Sequence, residues 1–141
     1  MTYTSDEEIA AIGAGLVARS LPKEAWTHAA HFAAAMWLLA ERGDEAFRDM
    51  PDLIRAYNAS VGGRNTDTEG YHETITRASL IMARACARER AELALFERVN
   101  ALLSGPCGRS GWILAHGSRE RLFSVAARRG WVEPDLAPLP E

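Results

Sequence analysis

The chain has few of the features that staple a fold or anchor it in a membrane. Its two cysteines, Cys86 and Cys107, form no CxxC pair, which argues against a cysteine zinc site. A chain of 141 residues can bury an adequate core without disulfides. The longest apolar stretch, residues 29–40, is interrupted by His31 and is too short to span a bilayer. With no basic segment typical of a signal peptide at the start, we expect a cytoplasmic protein and no membrane partner.

Positive charge is also scarce. The formal net charge is −3, and acidic residues are interleaved with the arginines that are frequent after Arg77. Binding to phosphates needs a basic surface, so nucleic acid is not expected as a partner. Ser118 follows His116 and Gly117, but no Gly-x-Ser-x-Gly elbow surrounds it, and it fits better as a helix cap.

No stretch alternates as a strand would, whereas apolar residues recur at helical spacing along the chain. We predict one all-α domain over residues 1–141, a bundle of four to five main helices. The expected helices cover about 6–19, a second ending at Gly43, 45–49, 51–60 after a break or kink at Pro51, 71–90 and 91–103. The last two can also be one bent helix. Short helices are expected at 110–116 and 118–129, before a proline-rich extended tail at 131–141.

The start of the second helix has two alternatives, and they differ in their chemistry. Pro22 suits a first helical turn, but Thr27 can also cap the helix. If Thr27 is the cap, His28 lies beside the positive helix end, which lowers the pKa of a histidine and keeps it neutral.

Three of the four histidines lie in two helix-start motifs, and they are the candidate metal ligands. His28 and His31 are three residues apart, which places both rings on one helix face, about 60° apart. His72 begins another helix and can join them if the two helix starts face each other. Three imidazoles suit a divalent metal with an open position: zinc, iron, manganese or nickel. The alternative is that each histidine is a core residue bonded to backbone or to a hydroxyl.

Glu73 is the candidate catalytic residue, because it directly follows His72. It can act as a base on metal-bound water, orient a histidine or become a fourth ligand. The competing interpretation is an ordinary helical ion pair with Arg77.

A polar loop, residues 63–70, precedes His72 and contains no large apolar side chain. Loops of this kind often carry function. We take Arg64, Asn65, Asp67 and the adjoining Tyr71 as candidate substrate-binding residues. A passive exposed connector is the alternative.

Four segments together resemble a group of small, uncharacterised bacterial all-helical proteins. They are Trp-Thr-His-x-x-His from Trp26, Arg-Ala-Tyr-Asn from Arg55, Tyr-His-Glu-Thr from Tyr71, and the closing Pro-Asp-Leu-x-Pro-Leu from Pro134. The resemblance covers most of the chain from Trp26 onward. The resemblance implies a small soluble bacterial protein and does not indicate any particular activity.

The sequence therefore leaves two functional hypotheses. The first is a metal-dependent hydrolase in which His28, His31 and His72 hold the ion and Glu73 acts on bound water. The second is a non-catalytic helical module that binds a small-molecule ligand or a protein partner and uses its histidines structurally. A homo-oligomer formed through Trp37 and its apolar neighbours is compatible with both.

Overall fold

The computed structural model describes residues 2–141, and within them it is all-helical, as predicted. Five α-helices of ten residues or more form the bundle: α1 (Asp6–Ala18), α2 (His28–Arg42), α3 (Ala46–Ser60), α4 (Glu73–Glu89) and α5 (Leu95–Ser104). Two short ones follow, α6 (Arg119–Leu122) and α7 (Val125–Arg129). Single 3₁₀ turns cover Lys23–Ala25, Gly43–Glu45, Pro106–Gly108 and Trp112–Ala115. None of the helices within residues 2–141 is both long enough and apolar enough to cross a membrane.

Helix α2 is the centre of the bundle and packs against α1, α3, α4 and α5. Phe32 and Met36 are buried on the expected face, and Leu38 is buried on the opposite side. Four buried alanines lie between them, and their small side chains let neighbouring helices approach from several directions: Ala30, Ala33, Ala34 and Ala35. Thr27 begins the helix by accepting a hydrogen bond from the Ala30 N–H, which decides between the two predicted starts.

Helix α3 departs from its prediction, because it runs without interruption through Pro51. The break expected at Pro51 is therefore wrong, and the alternative, a kink, stays a prediction. A proline inside a helix removes one hydrogen bond. Here the buried residues Met50, Ile54 and Tyr57 lie on both sides of the proline, and their packing holds the two halves in one helix.

A turn separates α4 from α5, so they are two helices and not one bent helix. Residues 90–94 leave the helical path, and Arg98 of α5 reaches back to them. Its guanidinium donates to the carbonyls of Arg90, Ala91 and Leu93. One side chain thus bonds to three carbonyls of the turn that follows α4.

The C-terminal segment, residues 131–141, contains no helix, and it is hydrogen-bonded to the turn before α6. The N–H groups of Leu136 and Ala137 donate to the carbonyl of His116. The Asp135 carboxylate accepts from both the N–H and the hydroxyl of Ser118, which also caps α6.

Trp37, which we considered for a subunit interface, has a contact within its own chain. Its indole lies directly over Gly13 of α1, so close that a β-carbon on Gly13 would collide with the ring. Gly13 is therefore the residue that lets α1 and α2 touch.

Gly13→Ala should destabilise the protein by about 1 kcal/mol or more. Overpacking typically costs 1–3 kcal/mol and outweighs the gain in helix propensity of about 1 kcal/mol. Urea unfolding measures the change. In a Trp37→Leu background the same substitution should become neutral or stabilising, and equal destabilisation in both backgrounds would contradict the proposed contact.

Candidate functional site

A cavity of about 480 Å³ lies between the start of α2, the end of α3, the polar loop and the first turn of α4. Its walls combine six aromatic and aliphatic side chains with seven polar or charged ones and two glycines. The lining residues come from four segments: Lys23, Trp26, His31, Ile54, Tyr57, Asn58, Val61, Gly63, Arg64, Glu69, Gly70, Tyr71, His72, Ile75 and Thr76. Two of the three predicted metal ligands and two of the four predicted substrate-binding residues are among them.

One wall of the cavity is a stack of rings. The Trp26 indole lies 3.8 Å from the His31 imidazole, centroid to centroid, at an interplanar angle of 31°. The same indole is 5.4 Å from the ring of Tyr57. Tyr57 is fully buried and fixed by a hydrogen bond from its hydroxyl to the carbonyl of Leu21. Each ring in this wall therefore contacts a neighbouring ring, and Tyr57 is also bonded to main chain.

His31 keeps one nitrogen available. The carbonyl of Thr27 can only accept, so the proton is on Nδ1, which donates to it over 2.7 Å. In the neutral ring, Nε2 then carries a lone pair, and it has no hydrogen-bond partner within residues 2–141. Burial lowers the pKa of His31, and this outweighs the opposing effect of the Thr27 bond. The ring is thus a neutral acceptor in the cavity wall.

His72 has no free nitrogen. It is the N-cap of α4, where Nδ1 accepts from the N–H of Ile75, and its Nε2 donates to the carbonyl of Leu122 over 2.7 Å. Burial is the main reason why the pKa of His72 is lowered, and a proton on Nδ1 would also break the cap. His72 therefore joins α4 to α6 as a neutral structural residue.

His28 faces a different part of the bundle and does not line the cavity. Its Nε2 donates to the carbonyl of Cys107 over 2.7 Å, and its ring meets Phe32 edge to face. Across residues 2–141, no three histidine, cysteine or acidic side chains are placed to hold one metal ion. The structure does not bring the three imidazoles together, and metal binding stays a prediction without structural support.

Glu73 is hydrogen-bonded to Tyr71, two residues before it in the chain. Its Oε1 accepts a hydrogen bond of 2.6 Å from the Tyr71 hydroxyl. Burial, followed by this carboxylate, raises the pKa of Tyr71 far above its ordinary value. Arg77 lies over the ring of Trp131, and the expected Glu73–Arg77 ion pair is not among the salt bridges of residues 2–141. Glu73 is not in the cavity wall, so its catalytic role stays a prediction.

The polar loop contributes to the cavity through Arg64 but not through Asn65 or Asp67. Asn65 instead fastens the loop. Its side chain donates to the carbonyl of Arg55 and accepts from Asn58 and from the N–H of Tyr71. Asp67 forms a two-pronged ion pair with Arg129 of α7, at 2.7 and 2.8 Å.

Gly70 closes the loop against itself. Its φ of +82° suits glycine, and a β-carbon there would collide with the carbonyl of Arg64. The loop is exposed throughout residues 62–70, yet it is tied at both ends and at its middle. The loop therefore forms one wall of the cavity, and its role in substrate binding stays a prediction.

Lys23, Trp26 and Tyr57 line the cavity but are not among the residues predicted for the site. Lys23 begins a 3₁₀ turn whose position depends on Thr27 starting α2. Trp26 is half-buried, whereas Tyr57 is fully buried behind it. These residues come together only when α2, α3 and the polar loop pack against one another, and no local sequence pattern predicts that packing.

His72→Ala and His72→Asn separate the two bonds of this residue. Asparagine can still cap α4 but cannot reach Leu122, so it should cost about 1 kcal/mol. Alanine loses both bonds and should cost about 2 kcal/mol. Urea unfolding at pH 7.5 tests the order; equal losses would mean that the cap contributes nothing.

Stability should fall as pH drops below 6.5, the ordinary histidine pKa. Because the pKa values of His31 and His72 are lowered in the fold, the unfolded chain binds more protons between 6.5 and the folded values. The free energy of unfolding should therefore decrease on acidification through this window and be fully retained above it. His72→Asn should flatten the decrease, and an unchanged slope would contradict the assignment.

Comparison of the chain with family models, with curated proteins and with solved structures finds no match in any of the three. Its function is therefore inferred from its own residues, above all from those that line the cavity.

Proposed function

We propose that the protein binds a small organic molecule reversibly in the cavity beside His31. The observation that carries this proposal is the cavity itself, about 480 Å³ in volume and walled by rings and aliphatic side chains. Ligand pockets commonly have volumes of roughly 300–1,000 Å³ and combine mainly apolar walls with a few polar groups. Both properties fit this cavity.

The state of the polar groups favours binding over catalysis. Both nitrogens of His72 are bonded to main chain. The hydroxyls of Tyr57 and Tyr71 donate to Leu21 and Glu73. A catalytic site generally needs a reacting group and a second group to activate or orient it. Here the Nε2 of His31 has no such companion among the hydrogen bonds of residues 2–141.

The metal-dependent hydrolase would need three histidine nitrogens directed at one point. The hydrogen bonds of His28 and His72 hold those rings toward Cys107 and Leu122 instead. The non-catalytic module is therefore the better supported of the two hypotheses.

A fixed wall also favours binding. The loop is held by Asn65, and the ring stack is held by Tyr57 and Trp26, so little of the site has to be ordered when a ligand enters. Preorganisation of this kind raises affinity by reducing the entropy lost on binding.

Filling the cavity should abolish binding. The test uses a library of small aromatic and aliphatic acids, alcohols and amines, screened by ¹H–¹⁵N correlation spectra. Binding molecules should shift resonances of the lining residues in a saturable way. Val61→Trp places an indole in the cavity wall and should remove these shifts.

Ala59→Trp is the matched control, since Ala59 lies two residues before Val61, is exposed and does not line the cavity. It should leave the shifts unchanged, and urea unfolding verifies that both variants fold. Shifts that cluster elsewhere, or that survive Val61→Trp, would overturn the proposal.

A further inference from the structure

We propose that the ligand is a flat organic acid that also carries a separate O–H or N–H group. The donor group bonds to Nε2 of His31, the flat body lies against the aromatic wall, and the acid faces Lys23 and Arg64 at the rim. This inference rests on the proposed function and names its ligand class.

The hydrogen-bond donor follows from the tautomer of His31. Thr27 fixes the proton on Nδ1, so Nε2 can only accept while the ring is neutral. A ligand that buries this nitrogen without offering it a donor would leave an acceptor unsatisfied, which costs binding free energy. The stacked indole of Trp26 holds the ring in place, so the ligand has to match its direction.

The flat, apolar body follows from the walls. Trp26, Tyr57 and Tyr71 line the cavity together with three aliphatic side chains, Ile54, Val61 and Ile75. Tyr57 is fully buried, and Tyr71 is buried with its hydroxyl donating to Glu73, so the half-buried Trp26 supplies the ring surface that a ligand can reach. Aromatic rings favour stacked or edge-to-face partners over other shapes.

The acid follows from the charges at the rim. Lys23, Arg64 and Glu69 are the charged lining residues, and all three are exposed. With His31 and His72 neutral, the rim has two positive charges and one negative. Neither Lys23 nor Arg64 takes part in a salt bridge in the described chain, residues 2–141. Complementary charge steers a ligand and fixes its orientation, so an anion is preferred.

Three probes of nearly equal size test the class: para-hydroxybenzoate, para-methoxybenzoate, which lacks the donor, and para-hydroxybenzamide, which lacks the charge. Titrations followed by ¹H–¹⁵N spectra give Kd for each. Loss of the donor should weaken binding about fivefold to tenfold. Loss of the charge should weaken it about twofold to fivefold, because the rim is exposed.

The ring nitrogens of His31 report the donor directly. Adding para-hydroxybenzoate should move the ¹⁵N resonance of Nε2 and leave Nδ1 protonated, whereas para-methoxybenzoate should not move it. If His31 only supported the wall, para-hydroxybenzoate would not move the Nε2 resonance.

Substitutions then assign each contact. His31→Phe keeps a flat ring beside Trp26 and should make the hydroxy and methoxy probes bind equally. His28→Phe, in the same helix but outside the cavity wall, is its control and should preserve the difference. Lys23→Gln and Arg64→Gln should each reduce the difference in Kd between para-hydroxybenzoate and para-hydroxybenzamide. Arg119→Gln, on α6 and outside the wall, should leave that difference unchanged.

The two levels of the proposal fail in different ways. If the methoxy or amide probe binds in the cavity as tightly as para-hydroxybenzoate, the ligand class is wrong and small-molecule binding stands. If neither these probes nor the library shifts the lining residues, the proposed function itself fails. If His31→Phe does not fold, the two rim variants and the Nε2 resonance still decide the outcome.

Discussion

The burial of α2 on nearly all sides is the constraint on which the rest of the structure depends. Its four buried alanines give neighbouring helices room to approach, while Phe32, Met36 and Leu38 fill the spaces that remain. Close packing of this kind fixes where both ends of the helix can lie. The N-terminal end, capped by Thr27, therefore meets the end of α3 and the start of α4, and the cavity forms where these three ends do not fill the space between them.

Main-chain carbonyls determine what each motif histidine can do. His28, His31 and His72 each donate one ring proton to a carbonyl, and the three acceptors lie in different parts of the chain. Such bonds satisfy buried polar groups and fix the tautomer. The second nitrogen of His72 accepts the hydrogen bond that caps α4, whereas the second nitrogen of His31 has no partner among residues 2–141. Three chemically equal side chains thereby acquire different roles.

The sequence predicts the helices well, because apolar periodicity and capping residues are local signals. Gly43 and Ser118 each lie at a helix end, as expected. Ser5 and Gly130 are further local signals, since they begin α1 and end α7. Pro51 was misleading, since its local effect is outweighed by core packing on both sides. For the site, residue types indicated two regions that line one cavity but could not reveal which nitrogen meets which carbonyl. Those partners lie as far as 79 residues away, and only the packed bundle brings them together.

The polar loop, residues 63–70, has a consequence for the timing of the proposed ligand exchange. Asn65 joins it to α3 and α4, Asp67 joins it to α7, and Gly70 seals its base. For the proposed ligand, a loop held in this way would not have to open for entry or exit, unlike the moving loops that gate many enclosed sites. The lifetime of the complex would then measure the contacts between the ligand and the cavity wall, with no contribution from the opening of the loop.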